Sequence, residues 1–96
     1  MLDRWPFEDP PDRSVITLRA IVERGSPILF VVHDAGDDGW QFLDGGTPRL
    51  EDARIVSFHV LAMRDRSLHA LARLPTGWEA WRDSPAGAWH WRRSRG

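Results

Sequence analysis

Four aspartates surround a predicted turn, and carboxylate oxygens in such a loop are ligands of the kind that Ca²⁺ and Mg²⁺ bind. They are Asp34, Asp37, Asp38 and Asp44. An EF-hand loop needs acids at alternate positions and a later glutamate, and this spacing does not match it. Asp38-Gly39 is instead typical of a hairpin turn with positive φ angles. We therefore expect no metal ion and no other cofactor.

Histidine is the side chain best suited to acid–base chemistry near neutral pH, and the chain has four, at positions 33, 59, 69 and 90. No two of them are three or four residues apart, so no helix presents a metal-binding pair. Asp34 follows His33 and could orient its imidazole as a general base. However, no serine lies in a nucleophile elbow, and the glycines form no phosphate-binding loop. We expect no catalytic residue, and a hydrolase built on His33 and Asp34 is the weakest hypothesis.

Tryptophan and arginine offer a better case, because both are enriched at binding hot spots. The six tryptophans exceed what a small core usually needs, and Trp5, Trp89 and Trp91 are the best candidates for exposure because they lie near the ends. The aromatic and basic run 89–95 could stack on single-stranded nucleic acid or lie at a membrane surface. A net charge of −1 gives no electrostatic support for a nucleic-acid partner.

Composition limits the kind of protein further. The chain of 96 residues has room for one domain and contains no cysteine, which excludes disulfides and thiolate metal sites. Its start does not resemble a signal peptide, and its longest apolar run, 28–32, is far too short to span a membrane. All 13 basic residues are arginine, which is typical of a GC-rich bacterial genome. We expect a soluble cytoplasmic protein with no membrane contact.

The first half of the chain contains the elements that would position these side chains. Residues 1–13 form a proline-interrupted arm, whose Trp5 and Phe7 could dock on the domain formed by residues 14–96. Residues 14–24 have the apolar spacing of a helix that ends at Gly25. The apolar run 28–33 predicts a strand covered on both faces. After the acidic loop, residues 40–43 would complete a hairpin, with Trp40 and Phe42 on one face.

The second half predicts a third strand at 54–58, two short helices within 59–74, and a terminal hairpin of strands 78–82 and 88–92. Pairing residue 82 with residue 88 would place Trp81 opposite Trp89, a favourable aromatic pair. The element order is then α-β-β-β-α-α-β-β. This order indicates an α+β fold with a mostly antiparallel sheet of about five strands and two or three helices packed on one face.

Two short motifs resemble a known family. Asp37-Asp38-Gly39-Trp40-Gln41-Phe42, after an apolar strand and before a glycine-rich turn, is one of them. The other is Leu74-Pro75-Thr76-Gly77 followed by Ala80-Trp81-Arg82. Together they resemble a family of small bacterial domains of unknown function, some of whose relatives are grouped with immunity proteins of polymorphic toxin systems. The resemblance implies no catalytic residues. This chain departs from the family pattern at Gly46-Thr47-Pro48, where relatives carry acids, and in its tryptophan-rich tail.

The leading hypothesis is therefore a non-enzymatic protein-binding domain with an immunity-like, toxin-neutralising role. Its contact surface would draw on Asp37, Asp38, Trp40 and the Arg82 region, with Trp89 and Trp91 as additions. The alternative is a small-ligand-binding or accessory domain that acts as a homodimer through a tryptophan-lined face. The partner is another protein or a second copy of the chain, and the sequence does not distinguish between them.

Overall fold

Six strands form one mixed sheet in the computed structural model, which describes residues 4–95. The strands are β1 (Ser14–Leu18), β2 (Phe30–His33), β3 (Trp40–Leu43), β4 (Ala53–Ser57), β5 (Trp78–Trp81) and β6 (His90–Arg93). The helices are α1 (Arg19–Arg24) and α2 (Phe58–Arg64), with 3-10 segments at Leu50–Asp52 and Arg66–Leu71. Residues 1–3 of the predicted arm and residue 96 of the predicted domain lie outside the described residues.

The first element is the main correction to the sequence-based prediction. Residues 14–18 form a strand rather than the first turns of a helix, and only residues 19–24 are helical. Val15 and Thr17 are buried while Ser14 and Ile16 are exposed, which is the period of two of a strand. The β-branched run Val-Ile-Thr favours this conformation, and pairing on both edges stabilises it. Gly25 ends the helix with φ 71°, as predicted.

The strand order across the sheet is β4-β1-β3-β2-β5-β6. Every neighbouring pair is antiparallel except β1 and β3, which are parallel. The α+β class is confirmed, and so is the hairpin formed by β2 and β3. The predicted count of about five strands and the predicted element order are wrong because residues 14–18 add a strand at the beginning. That strand inserts between β4 and β3, which creates the parallel pair.

One face of the sheet contributes most of the core. Four adjacent strands place Val15, Phe42, Val31 and Ala80 on this face, and each is at most 1% exposed. Buried residues of α2 and of the 3-10 helix at 66–71 complete the same cluster: Phe58, Leu61, Ala62, Leu68 and Leu71. Asp65 caps that 3-10 helix by accepting from the Ser67 backbone N–H.

The other face is less well covered. Ile16 and Ile55, paired on β1 and β4, are 42% and 73% exposed, and Phe30 and Val32 of β2 are half-buried. The prediction that β2 is covered on both faces is therefore wrong. The continuous apolar run predicts burial of every side chain, but Phe30 and Val32 are apolar and only half-buried. The result is a sheet with one packed face and one partly open face.

The terminal hairpin forms with a register one residue away from the prediction. Trp81 pairs with His90, and Ala80 pairs with Trp91. Because a shift of one residue moves every side chain to the other face, Trp89 lies on the side of Arg82 rather than opposite Trp81. The Arg82 guanidinium lies 4.1 Å from the centre of the Trp89 ring. A cation–π contact therefore replaces the predicted aromatic pair.

The arm packs against the core through its aromatic residues. Phe7 is 5% exposed, and its ring centre lies 4.4 Å from that of Phe58 and 5.6 Å from that of Trp40. Trp5 meets Phe58 edge-on at 5.2 Å. Backbone bonds from Phe58 to Arg13 and from His59 to Pro11 attach the end of the arm to the start of α2. The arm thereby forms one wall of the cleft described next.

Candidate functional site

The turn between β2 and β3 uses its aspartates unequally. The Asp34 carboxylate accepts from the Gly36 N–H at 2.6 Å, and the Asp37 carboxylate accepts from the Gly39 N–H at 2.9 Å. Asp38 adopts the left-handed conformation, with φ 64°. Asp34 and Asp37 therefore hold the turn, as is usual for aspartate in such loops, whereas the Asp38 carboxylate remains available at the surface.

His33 lies beneath this turn and is 8% exposed. Its Nδ1 lies 2.7 Å from the carbonyl oxygen of Leu74, so Nδ1 must carry a proton and donate. Its Nε2 lies 3.3 Å from Oδ1 of Asp38 but has no hydrogen-bond partner among the described residues. The imidazole stacks on Trp40 at 3.9 Å. Such an orphaned buried nitrogen is rare in folded proteins, and a ligand group is one explanation for it.

The arm supplies a second set of polar groups. Asp9 accepts from Arg13 at 2.6 Å and from the Trp40 indole N–H at 3.1 Å. Arg13 also donates to the Asp37 carbonyl at 3.3 Å and lies 3.8 Å from the Asp38 carboxylate. These contacts fix the arm to the hairpin turn and neutralise Asp9, so Asp9 and Arg13 together add little net charge to the cleft.

An open cleft of about 520 Å³ lies between the arm, the hairpin and the segment that follows the 3-10 helix. Its lining residues are Glu8, Asp9, Pro10, Arg13, His33, Asp38, Trp40, Ala72, Arg73, Leu74, Pro75 and Thr76. Once Asp9 and Arg13 are set aside as a pair, the remaining charges are the carboxylates of Glu8 and Asp38 and the cation of Arg73. The remaining carboxylates of the lining thus outnumber the remaining cation by two to one, and one of them, Asp38, lies beside His33.

The structure brings only some of the predicted binding residues together. Asp38 and Trp40 line this cleft, although Trp40 is 2% exposed and forms its inner wall. Asp37 is not a lining residue, because its carboxylate is bonded within the turn to the Gly39 N–H. Trp89 is half-buried, and its indole N–H donates to the Ser67 carbonyl at 3.2 Å. Trp91, on β6, is the one exposed tryptophan, at 38%. Trp89 and Trp91 are not part of the cleft.

Arg82 is buried at 3% exposure, so it offers no surface to a partner. Its guanidinium donates twice to the Ile28 carbonyl, at 3.1 and 2.8 Å, and once to Asp65 at 2.9 Å. Its other terminal nitrogen donates to Ser67 at 2.7 Å and to the Pro85 carbonyl at 2.9 Å. Arg82 therefore joins the segment that precedes β2, the start of the 3-10 helix and the terminal hairpin.

Sequence reasoning missed the arm residues Asp9 and Arg13, and it paired His33 with Asp34 rather than with Asp38. The hairpin could have indicated the second pairing, because a six-residue turn between β2 and β3 brings Asp38, near its end, back to His33 at the end of β2. Thr76 contributes a hydroxyl group to the lining of the cleft. Among residues 4–95, no group of three or more histidine and carboxylate side chains could hold a metal ion.

The fold and the cleft define a small α+β domain with a mixed sheet, one partly open face and a polar cleft at the end of its first hairpin. Comparison with protein-family models, with curated proteins and with solved structures finds no match to this chain. Across residues 4–95, no helix has both the length and the apolar character needed to cross a membrane.

Proposed function

We propose that this protein is a non-enzymatic binding domain that receives a cationic side chain of a partner protein in the cleft beside His33. The observation that carries the proposal is the unpaired Nε2 of a buried histidine next to the Asp38 carboxylate. Because Nδ1 is committed as a donor to Leu74, the neutral ring presents an acceptor at Nε2. Asp38 presents a second acceptor 3.3 Å away.

A guanidinium or ammonium group suits these acceptors, because each carries several donors in one compact group. Asp38 has a side chain that is 62% exposed and can rotate to admit a donor to Nε2. Charge-assisted bonds to carboxylates are stronger than neutral ones, and Glu8 supplies a second carboxylate at the cleft wall. Arg13 is bonded to Asp9 at 2.6 Å and lies farther from Asp38, at 3.8 Å, so an incoming cation can approach the Asp38 carboxylate more closely than Arg13 does.

The family resemblance would make the partner a bacterial toxin, which the domain would neutralise by covering a basic side chain of the toxin. In that role the arm and the hairpin turn, with Asp37 and Asp38, form the contact surface. Arg82 drops out of the proposed surface because it is buried. No proton transfer or bond cleavage is required of His33, so the proposed role is binding alone.

The test is an NMR titration with a short arginine-containing peptide and with the same peptide carrying citrulline, which keeps the shape of arginine but lacks its charge. The arginine peptide should shift the His33 ring and Trp40 indole signals, and the citrulline peptide should not. Asp38→Asn should weaken binding by roughly tenfold or more. Glu79→Gln removes a carboxylate that Arg92 already pairs at 2.6 Å and should leave binding unchanged. Equal shifts with both peptides would show that the charge of arginine does not contribute to binding, which contradicts the proposal.

A second candidate is a small-ligand-binding domain, and the size of the cleft favours it. A volume of about 520 Å³ falls within the range of small-molecule sites. Free arginine and methylguanidinium separate the two candidates. A small-ligand domain should bind them as tightly as the peptide, whereas a protein-binding domain should gain affinity from the flanking peptide residues.

A further inference from the structure

The two edges of the sheet are protected unequally. β6 forms one edge, and its four residues are all exposed and include Arg92 and Arg93. Charges of this kind are a common way to prevent an edge from pairing with another strand. β4 forms the opposite edge, and its sole charge is Arg54, which bends back to the Ala53 carbonyl at 2.9 Å and the Glu51 carbonyl at 3.3 Å.

The hydrogen-bond alternation shows which backbone groups of β4 face outward. Phe58 donates its N–H to the Arg13 carbonyl at 2.8 Å, which sets the phase of the ladder between β1 and β4. In an antiparallel pair, bonded and non-bonded residue pairs alternate. Val56 and Arg54 therefore bond to β1 opposite Val15 and Thr17. The N–H and C=O groups of Ile55, the C=O of Ala53 and the N–H of Ser57 therefore point away from the sheet, whereas the Ala53 N–H donates to the Leu50 carbonyl. The Ala53 carbonyl accepts from Arg54 with one lone pair and has a second for another donor.

Exposed apolar side chains gather around the same edge. Of the six large apolar side chains exposed among residues 4–95, five lie on β4, on its neighbour β1, or on the segments that flank β4 in the chain. They are Ile55, Ile16, Leu50, Val60 and Met63, and Leu50 reaches 93% exposure. Exposed apolar side chains that lie next to each other, as Ile16 and Ile55 do, are typical of interaction sites.

We propose that a second copy of this chain pairs with β4 through its own β4, in antiparallel orientation about a two-fold axis at Ile55. This register places Ala53 opposite Ser57 of the partner and Arg54 opposite Val56 of the partner. Ile55 exchanges both backbone bonds with its counterpart, and Ser57 donates to the outward Ala53 carbonyl. The two sheets join into one of twelve strands.

The distribution of charge favours β4 over β6 as the edge that pairs with a second copy. In the β4 register, each Arg54 meets a valine, and no like charges face each other. The same self-pairing of β6 would bring Arg92 and Arg93 of one copy close to those of the other, which is unfavourable. On the partly open face, the exposed pair of Ile16 and Ile55 continues into its counterpart across the axis.

Light scattering with size-exclusion chromatography tests the dimer on the full chain at roughly 100 µM, where a micromolar dissociation constant gives mostly dimer. The expected mass is twice the 11.0 kDa of the chain. Ile55→Pro removes an outward N–H and leaves the ladder with β1 intact, and Ile55→Lys adds a charge to the apolar edge. Both variants should run at 11.0 kDa, with unchanged circular dichroism.

Matched controls lie on the other edge. Ser94 donates to the Gly77 carbonyl, so the same alternation directs the N–H of Arg93 outward. Arg93→Pro and His90→Lys therefore repeat the two changes on β6 and should leave the dimer intact. A monomeric wild-type chain at that concentration overturns the proposal. So does a dimer that survives both Ile55 variants or dissociates with the β6 variants.

Discussion

Two buried polar side chains of this protein, Arg82 and His33, differ in how fully they are bonded. All five N–H donors of Arg82 have acceptors, and these acceptors come from the segment before β2, the start of the 3-10 helix and the loop before β6. His33 has one bonded nitrogen, whereas its Nε2 lies 3.3 Å from the Asp38 carboxylate and makes no hydrogen bond to any residue within 4–95. Both residues are at least 90% buried, so exposure alone does not distinguish them.

The difference separates a residue that holds the fold from one that is available to a ligand. A saturated buried network stabilises and orients the segments it joins, whereas an unsatisfied group costs free energy and needs an explanation. The surroundings of the two residues fit this distinction. Arg82 lies under Trp89 and is sealed from solvent, while His33 lies beside a cleft and below an exposed carboxylate.

The largest effect should come from Arg82→Met. This change leaves Asp65 without its buried cationic partner and the Ile28 carbonyl without its two donors, so we expect a loss of about 3–5 kcal/mol in the free energy of unfolding. Urea denaturation measures it. Arg49→Met, whose ion pair with Glu51 is exposed on both sides, is the control and should cost no more than about 1 kcal/mol. Equal losses for the two variants would contradict a structural role for Arg82.

The next effect should come from Phe7→Ala, which tests whether the arm belongs to the core. Phe7 is 5% exposed and contacts Trp40 and Phe58, so its truncation should cost about 3 kcal/mol. Because Phe7 also supports Trp40, the cleft should lose its inner wall, and the arginine peptide should bind less tightly. Glu8→Ala, at the exposed neighbouring position, should leave stability unchanged. A Phe7 variant as stable as the wild-type chain would place the arm outside the core.

Local patterns were sufficient for much of the fold. The β2–β3 hairpin, the shared face of Trp40 and Phe42 and the Gly25 helix end all follow from spacing and turn chemistry. Residues 14–24 were harder because Val15, Leu18 and Val22 also have helical spacing. There the β-branched run and the pairing with β3 and β4 decided the conformation, and that pairing is not visible in local sequence.

The candidate site depended on contacts between distant residues. His33 meets Leu74, which lies 41 residues away, and Trp40 meets Asp9, which lies 31 residues away. No local motif predicts either contact. Arg82 was misjudged for a related reason. Arginine is usually exposed, and only the convergence of Ile28, Asp65 and Pro85 explains its burial.

His33→Leu is expected to cost less stability than Arg82→Met, because it removes a buried polar group that is only half satisfied. The change leaves the Leu74 carbonyl without a donor but also removes the unpaired Nε2, so the net loss should be about 1 kcal/mol. The ratio of this loss to that of Arg82→Met is the quantity to compare by urea denaturation. If His33→Leu were as costly as Arg82→Met, His33 would be a structural residue, and the proposal that it receives a ligand in the cleft would be wrong.

Asp38→Gly should have the smallest effect on stability and a large effect on binding. At φ 64° an aspartate carries a backbone cost that glycine does not, and this gain offsets the added chain entropy of glycine. The free energy of unfolding should therefore stay within about 1 kcal/mol of the wild-type value. The arginine peptide should nevertheless bind at least about tenfold more weakly, because the carboxylate beside Nε2 is gone.

Asp37→Gly is the informative control, since Asp37 bonds within the turn to Gly39. It should destabilise the turn while leaving the Asp38 carboxylate in place. If the two variants weakened binding equally, the shape of the turn rather than the Asp38 carboxylate would define the site.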